Sequence, residues 1–321
     1  MRTLMMVASC LGAMITSTAF ADDAMERLQR TIAQVCAQPA SATAPALDAT
    51  MLYALTDCQQ GKKPNFMMGT LHSSDAGIIK SIEFIVPYLD ASDATWFEIL
   101  EDEHSAQQVV RLMFLPMEDK EGLKGLLGEK DFAQFVALVQ NESPTLSEYH
   151  LTRYRPWAAA IMLQLLAIDT SGVVMDDWLQ NQARHSKKPI HALETIQEQF
   201  SMFDAFSVSE QLIMLRDAMT QFDDQKRFTK EMMDAYRQGN LQNVADIGQK
   251  VMDALPDKNL AAKLKNKTLT VRNIRMMDKM RQDFKKGGQF VAVGALHLPY
   301  AEGLLAHAQR DGYRIVPIAK P

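Results

Sequence analysis

Phe290-Val291-Ala292-Val293-Gly294-Ala295-Leu296-His297 is an apolar run of strand length that ends in a single histidine. The pattern occurs once before, at Phe66-Met67-Met68-Gly69-Thr70-Leu71-His72. Both copies read apolar run, glycine, small residue, leucine, histidine. A strand buried on both faces is continuously apolar, and polar chemistry then collects where the strand ends. Two such strands side by side would carry His72 and His297 to one edge of a sheet. A glycine three residues before each histidine allows close backbone approach there. The carboxyl edge of an α/β sheet is also where ligand sites form.

Working outward, Met51–Leu55 and Asn65–Leu71 read as strands joined by a turn over 57–64, a hairpin that ends at His72. Ile78–Leu89 is helix-like, and Ala94–Leu100 is a further apolar strand. Ile190–Leu193 is a short strand ending at Glu194. Ser209 is placed to cap a helix running to Phe222. After Phe290–Leu296 come a helix over Ala301–Arg310 and a last strand over Tyr313–Ile318. Strand, helix, strand is the signature of a parallel unit. The expected fold class is therefore α/β, with a mixed, mostly parallel sheet built from both ends of the chain. A large helical insertion, about residues 104–286, separates the two G-x-x-H strands. No linker divides residues 22–321, so a single domain is expected.

The N-terminus stands outside that fold. Arg2, the apolar stretch Leu4–Ile15 and the small-residue site Ala19-Phe20-Ala21 read as a signal peptide over residues 1–21. The protein is then exported, to the periplasm or beyond. No later stretch reaches the roughly 18 apolar residues of a membrane span. Net charge is −5 and the sequence pI about 5.8, which gives no basic footprint for nucleic acid. Removing the leader also removes Cys10 and leaves Cys36 and Cys58. Two cysteines in an oxidising compartment suggest one disulfide, a link that stabilises by about 3 kcal/mol.

His72 and His297 are the first candidates for chemistry, because imidazole is both a general base and a common metal ligand. Glu98 sits inside Trp96-Phe97-Glu98-Ile99-Leu100, where a carboxylate is costly without a partner. Glu194 repeats that situation after its own short strand. Two imidazoles and two carboxylates at strand ends have the composition of a divalent-metal or acid/base site. Arg272-Asn273 lies in a helix and reads locally as a solvated face. Among the 21 methionines, the pairs Met67-Met68, Met232-Met233 and Met276-Met277 fall in helical or strand contexts that suit packing.

Gly69-Thr70-Leu71-His72, Glu98, Leu193-Glu194-Thr195 with Glu198-Gln199, Arg272-Asn273 and Gly294-Ala295-Leu296-His297-Leu298-Pro299, with Gly303-Leu304-Leu305 and Gly312-Tyr313, together resemble the TraB/GumN family. That family is related to the Tiki metalloproteases and to erythromycin-esterase-like hydrolases. The resemblance covers roughly Met51 to Ile318 and departs at Tyr300, where the family often has glycine. It implies a hydrolase-like site made from His72, His297, Glu98 and Arg272, acting on a peptide or small molecule.

Three readings follow. In the first, a metal-dependent peptidase, His72, Glu98 and His297 hold a divalent ion (manganese, cobalt or zinc) or activate water. Glu194 is then a further ligand or a carboxylate orienting a histidine. Arg272 stabilises an oxyanion and Asn273 positions substrate. In the second, an esterase-like enzyme needs no metal, and His72 is a general base strengthened by Glu98. In the third, the fold is a non-catalytic periplasmic binding or assembly protein, with haem or a soft metal as its ligand.

Overall fold

The computed structural model describes residues 22–39, 45–100, 103–116, 118–119, 121–168 and 172–320. The expected leader therefore lies outside the described residues. Helix α1 (residues 22–37) lays Ala24 and Leu28 against the core. Strands β1 (Leu52–Thr56) and β2 (Asn65–Thr70) form the antiparallel hairpin, and both are buried along their whole length. Helices α2 (Ala76–Ile82) and α3 (Val86–Ala91) lead to β3 (Ala94–Phe97). The expected single helix over 78–89 is broken by a 3-10 turn, with Pro87 in the first turn of α3. Proline lacks the N–H that a continuous helix would use.

The helical region then runs through α4 (Glu103–Met113), α5 (Gly122–Leu127), α6 (Glu129–Glu142), α7 (Glu148–Thr152), α8 (Pro156–Leu166) and α9 (Met175–His185). Strand β4 (Ile190–Ala192) interrupts it. It resumes with α10 (Ile196–Phe200), α11 (Val208–Thr220), α12 (Phe222–Arg237), α13 (Leu241–Ala254), α14 (Lys258–Lys265) and α15 (Val271–Phe284). The cap of α11 is Ser207, not Ser209 as the sequence reading had it. The Ser207 hydroxyl accepts the Glu210 N–H and the Glu210 carboxylate accepts the Ser207 N–H. That reciprocal box satisfies two otherwise orphaned donors, which a lone serine two residues later cannot do. Strand β5 (Gln289–Gly294), α16 (Leu304–Arg310) and β6 (Arg314–Pro317) close the chain.

The six strands form one sheet in the order β4-β3-β5-β2-β1-β6. The pairings β2–β5, β5–β3 and β3–β4 are parallel, and β1 runs antiparallel to both neighbours. The sheet is thus mixed, mostly parallel and built from both chain ends. The unit β5-α16-β6 is parallel in direction, but β2 and β1 lie between its strands. One buried cluster joins the sheet to its flanking helices, and two smaller ones lie within the helical region. Cys36 and Cys58 are disulfide-bonded, Cα to Cα 5.6 Å, and tie α1 to the turn after β1. Among the described residues, no helix is long and apolar enough to cross a membrane.

Candidate functional site

The two central strands bring the repeated motifs together. In the β2–β5 pair, Gly69 lies opposite Val293 and Thr70 opposite Gly294. The motifs therefore end side by side, one residue out of register. Strand β5 stops at Gly294, earlier than expected, and Ala295–His297 forms a 3-10 turn. That turn folds over Gly69, where a Cβ would come 3.0 Å from Ala295 Cα. The glycine of the first motif thus makes room for the turn of the second.

His72, Glu98, Arg272 and His297 line one cavity of about 430 Å³. Its other walls are mainly apolar and come from the helical region, with Trp157, Phe203, Met214, Met232 and Leu264 among them. Trp157 and Phe203 stack with ring centroids 4.5 Å apart. Glu98 and Glu194 each follow the end of a parallel strand, and the Glu194 N–H donates to the Glu98 carbonyl at 2.8 Å. Both strands are shorter than the sequence suggested, ending at Phe97 and Ala192.

His297 is buried at 4% exposure. Its Nδ1 lies 2.6 Å from Asn273 Oδ1, while Asn273 Nδ2 donates to the Glu302 carbonyl at 2.8 Å. With the amide so oriented, Nδ1 carries the proton and Nε2 keeps its lone pair. Nε2 faces Glu98 Oε1 across 3.7 Å. Burial pulls the His297 pKa down to about 4; Glu98 opposes the shift and Arg272 reinforces it. The imidazole is therefore neutral near pH 7.

Burial alone would raise the Glu98 pKa. The positive charge that His297 can carry, the Arg272 guanidinium and the Gly294 N–H outweigh it and bring it to about 2. Because His297 is neutral near pH 7, Arg272 and the Gly294 N–H are the causes that act there. Gly294 N donates to Oε1 at 2.6 Å, and Arg272 Nη2 and Gln199 Nε2 reach Oε2 at 2.6 and 3.1 Å. A Cβ on Gly294 would sit 3.2 Å from Oε1, so this glycine admits the carboxylate to the backbone.

Arg272 is buried, contrary to its local reading as a solvated face. Its Nε donates to Glu194 Oε2 at 2.8 Å and its Nη1 to the Thr268 carbonyl at 3.2 Å. Burial works against the charge, but the two carboxylates outweigh it and hold the guanidinium protonated. The helix just before it, Asn266–Thr270, is a π-helical turn, a local widening common at functional sites. Glu194 gives its other oxygen to Arg275 at 3.0 Å. It is thus bound to two arginines and does not line the cavity. Asn273 does not line it either; its amide serves His297.

His72 is the open half of the pair, with its side chain 49% exposed. Its Nδ1 lies 3.5 Å from Asp176 Oδ2, and Asp176 Oδ1 accepts the Thr70 hydroxyl at 2.9 Å. Asp176 was missed in the sequence; its only local signal is an Asp-Asp pair in the first turn of α9. Tyr300, where the chain departs from the family pattern, is not among the lining residues. It has φ 72°, the left-handed region in which glycine is unstrained. Its hydroxyl donates to the Ala245 carbonyl at 2.8 Å, and Lys265 Nζ lies 4.5 Å from its ring centroid.

The donor types suit a divalent metal, but their arrangement does not fit one. Among the described residues, no three His, Cys, Asp or Glu side chains converge on a common point. Glu98, the shared carboxylate, is already compensated by a buried cation.

A model of the TraB/PrgY/gumN family matches residues 51–317. No curated protein and no solved structure matches.

Proposed function

The chain belongs to the TraB/PrgY/gumN family, and from that premise we propose that it is a hydrolase of peptide or related acyl bonds. One observation carries this reading. His297 Nε2 keeps a lone pair that faces Glu98 Oε1, itself the acceptor of the Gly294 N–H at 2.6 Å, across 3.7 Å. A water molecule between them can donate to both, and a neutral imidazole can take its proton as the water attacks a carbonyl. Asn273 holds the productive tautomer, and Arg272 keeps Glu98 ionised and fixed. His72, held toward Asp176 at the same cavity, is placed to give a proton to the leaving group and to regain one from solvent at its exposed side, while His297 passes the proton it took to water. The apolar walls exclude bulk water and strengthen these interactions.

The test is hydrolysis by the mature chain against peptide and ester panels, with His297→Gln and His72→Gln as controls. Each variant should lose at least about a hundredfold in kcat/KM, the usual scale of acid–base catalysis. Full activity in the double variant ends the reading. The same assay after chelation, with manganese, cobalt or zinc returned in turn, decides metal use. Loss and recovery would establish metal dependence; chelator-insensitive activity would establish the metal-free route. The disulfide suits an oxidising compartment outside the cytoplasm, where we place the protein.

A further inference from the structure

The helical side of the cavity carries polar groups that the proposed chemistry leaves unused. Gln164 on α8, Asp217 on α11 and Gln225 on α12 all line it, and these three helices pack on one another. Among the described residues, none is a hydrogen-bond partner of the buried Oε1 of Gln225. Among the described residues, no hydrogen bond or ion pair engages the Asp217 carboxylate, and burial raises its pKa. Buried acceptors are nearly always satisfied, so an unpaired one on a residue that lines a cavity calls for a donor from a ligand or a trapped water. The Asp217 carboxylate, from another helix lining the same cavity, adds a demand for positive charge. Ile161, Met214 and Met232, which line the same cavity, are apolar.

We propose that this wall is a subsite for a protonated amine carried on an apolar chain. Asp217 supplies the counter-charge, Gln225 Oε1 accepts one N–H, and Gln164 is placed to accept another. The apolar part of the ligand lies against the cavity walls. As a statement about substrate, this rests on the hydrolase reading; as a statement about binding, it does not. Water alone at Gln225 would satisfy the amide oxygen and give no preference for charge.

The test is isothermal titration of the full chain at pH 7 with hexylamine and with hexanol, neither of which can be hydrolysed. The amine should bind about tenfold tighter, the scale of one charge-assisted hydrogen bond. Asp217→Asn should erase that preference. Gln225→Leu should weaken it and also raise the melting temperature, because it removes an orphaned buried oxygen. A purely structural glutamine would not give that pair of effects. Equal binding of amine and alcohol, no amine binding up to about 10 mM, or an unchanged preference in Asp217→Asn would overturn the proposal. Trileucine amide and its N-acetyl form, titrated into His297→Gln, separate the sources. A matching preference for the free amine assigns the site to peptide N-termini, and a preference confined to hexylamine assigns it to simple amines. An amine preference without any hydrolysis would remove the hydrolase reading and keep the subsite. Hydrolysis without an amine preference would do the reverse.

Discussion

The two Gly-x-Leu-His segments share a local sequence and end on adjacent parallel strands, yet their histidines live in different solvents. His297 is 4% exposed, while the His72 side chain is 49% exposed. The difference begins one residue past the strands. After Gly294 the chain tightens into a 3-10 turn over Gly69 and buries its imidazole. After Thr70 it runs on to Ser73, whose carbonyl accepts the Met175 N–H, and so stays at the rim beside α9. One histidine is oriented by a neutral amide, the other is paired with a carboxylate. A repeated motif therefore builds two unlike groups, because its strand and glycine are local while its partners are not.

The contrast breaks most severely at Arg272, which compensates Glu98 on the buried side. Arg272→Met strands the Glu98 carboxylate without its arginine and leaves Glu194 to Arg275 alone, and should cost about 3–5 kcal/mol in urea unfolding. Loss under about 1 kcal/mol would mean that the buried side is not held by charge.

Acid should also act selectively on the buried half. The folded His297 pKa, about 4, lies below its ordinary 6.5, so the unfolded chain binds more protons between those values. Stability is then complete above about pH 6.5 and falls toward pH 4, by at most about 1.4 kcal/mol per unit. Glu98, at about 2 when folded against 4.5, adds a second loss as pH falls through that lower window. His297→Gln should flatten the upper limb, and His297 resonances followed by NMR should titrate near pH 4.

A smaller effect is expected at the glycines. Gly69→Ala pushes a methyl into the backbone of Ala295 and should cost about 1–3 kcal/mol. Gly294→Ala meets Glu98 Oε1 at 3.2 Å, and the side chain can retreat. Its cost should stay under about 1 kcal/mol, while kcat/KM should fall because the carboxylate moves. Equal costs at both positions would remove the claim that one motif makes room for the other.

Much of this was legible in the sequence. Continuous apolar runs marked β2 and β5, and a costly carboxylate marked Glu98. Arg272 was legible only through the family pattern. Its helix is amphipathic, and nothing local says that it meets a glutamate 174 residues away. Asp176, Asp217 and Gln225 had no distinguishing context, since each is an ordinary polar residue on a helix until another helix covers it. Glu194, at the end of a strand, read as a further ligand or a carboxylate orienting a histidine; in the fold its oxygens go to Arg272 and Arg275.

By itself the sequence determined the strands, the glycines that let backbones touch, the Cys36–Cys58 pair and the family. These depend on periodicity and residue type, which act over a few residues or survive as a pattern. Only the tertiary structure decided which histidine is buried, which tautomer it holds, and which charges neutralise Glu98. Those are properties of dielectric and distance, and both arise when α15, β3 and β5 meet at one end of the sheet.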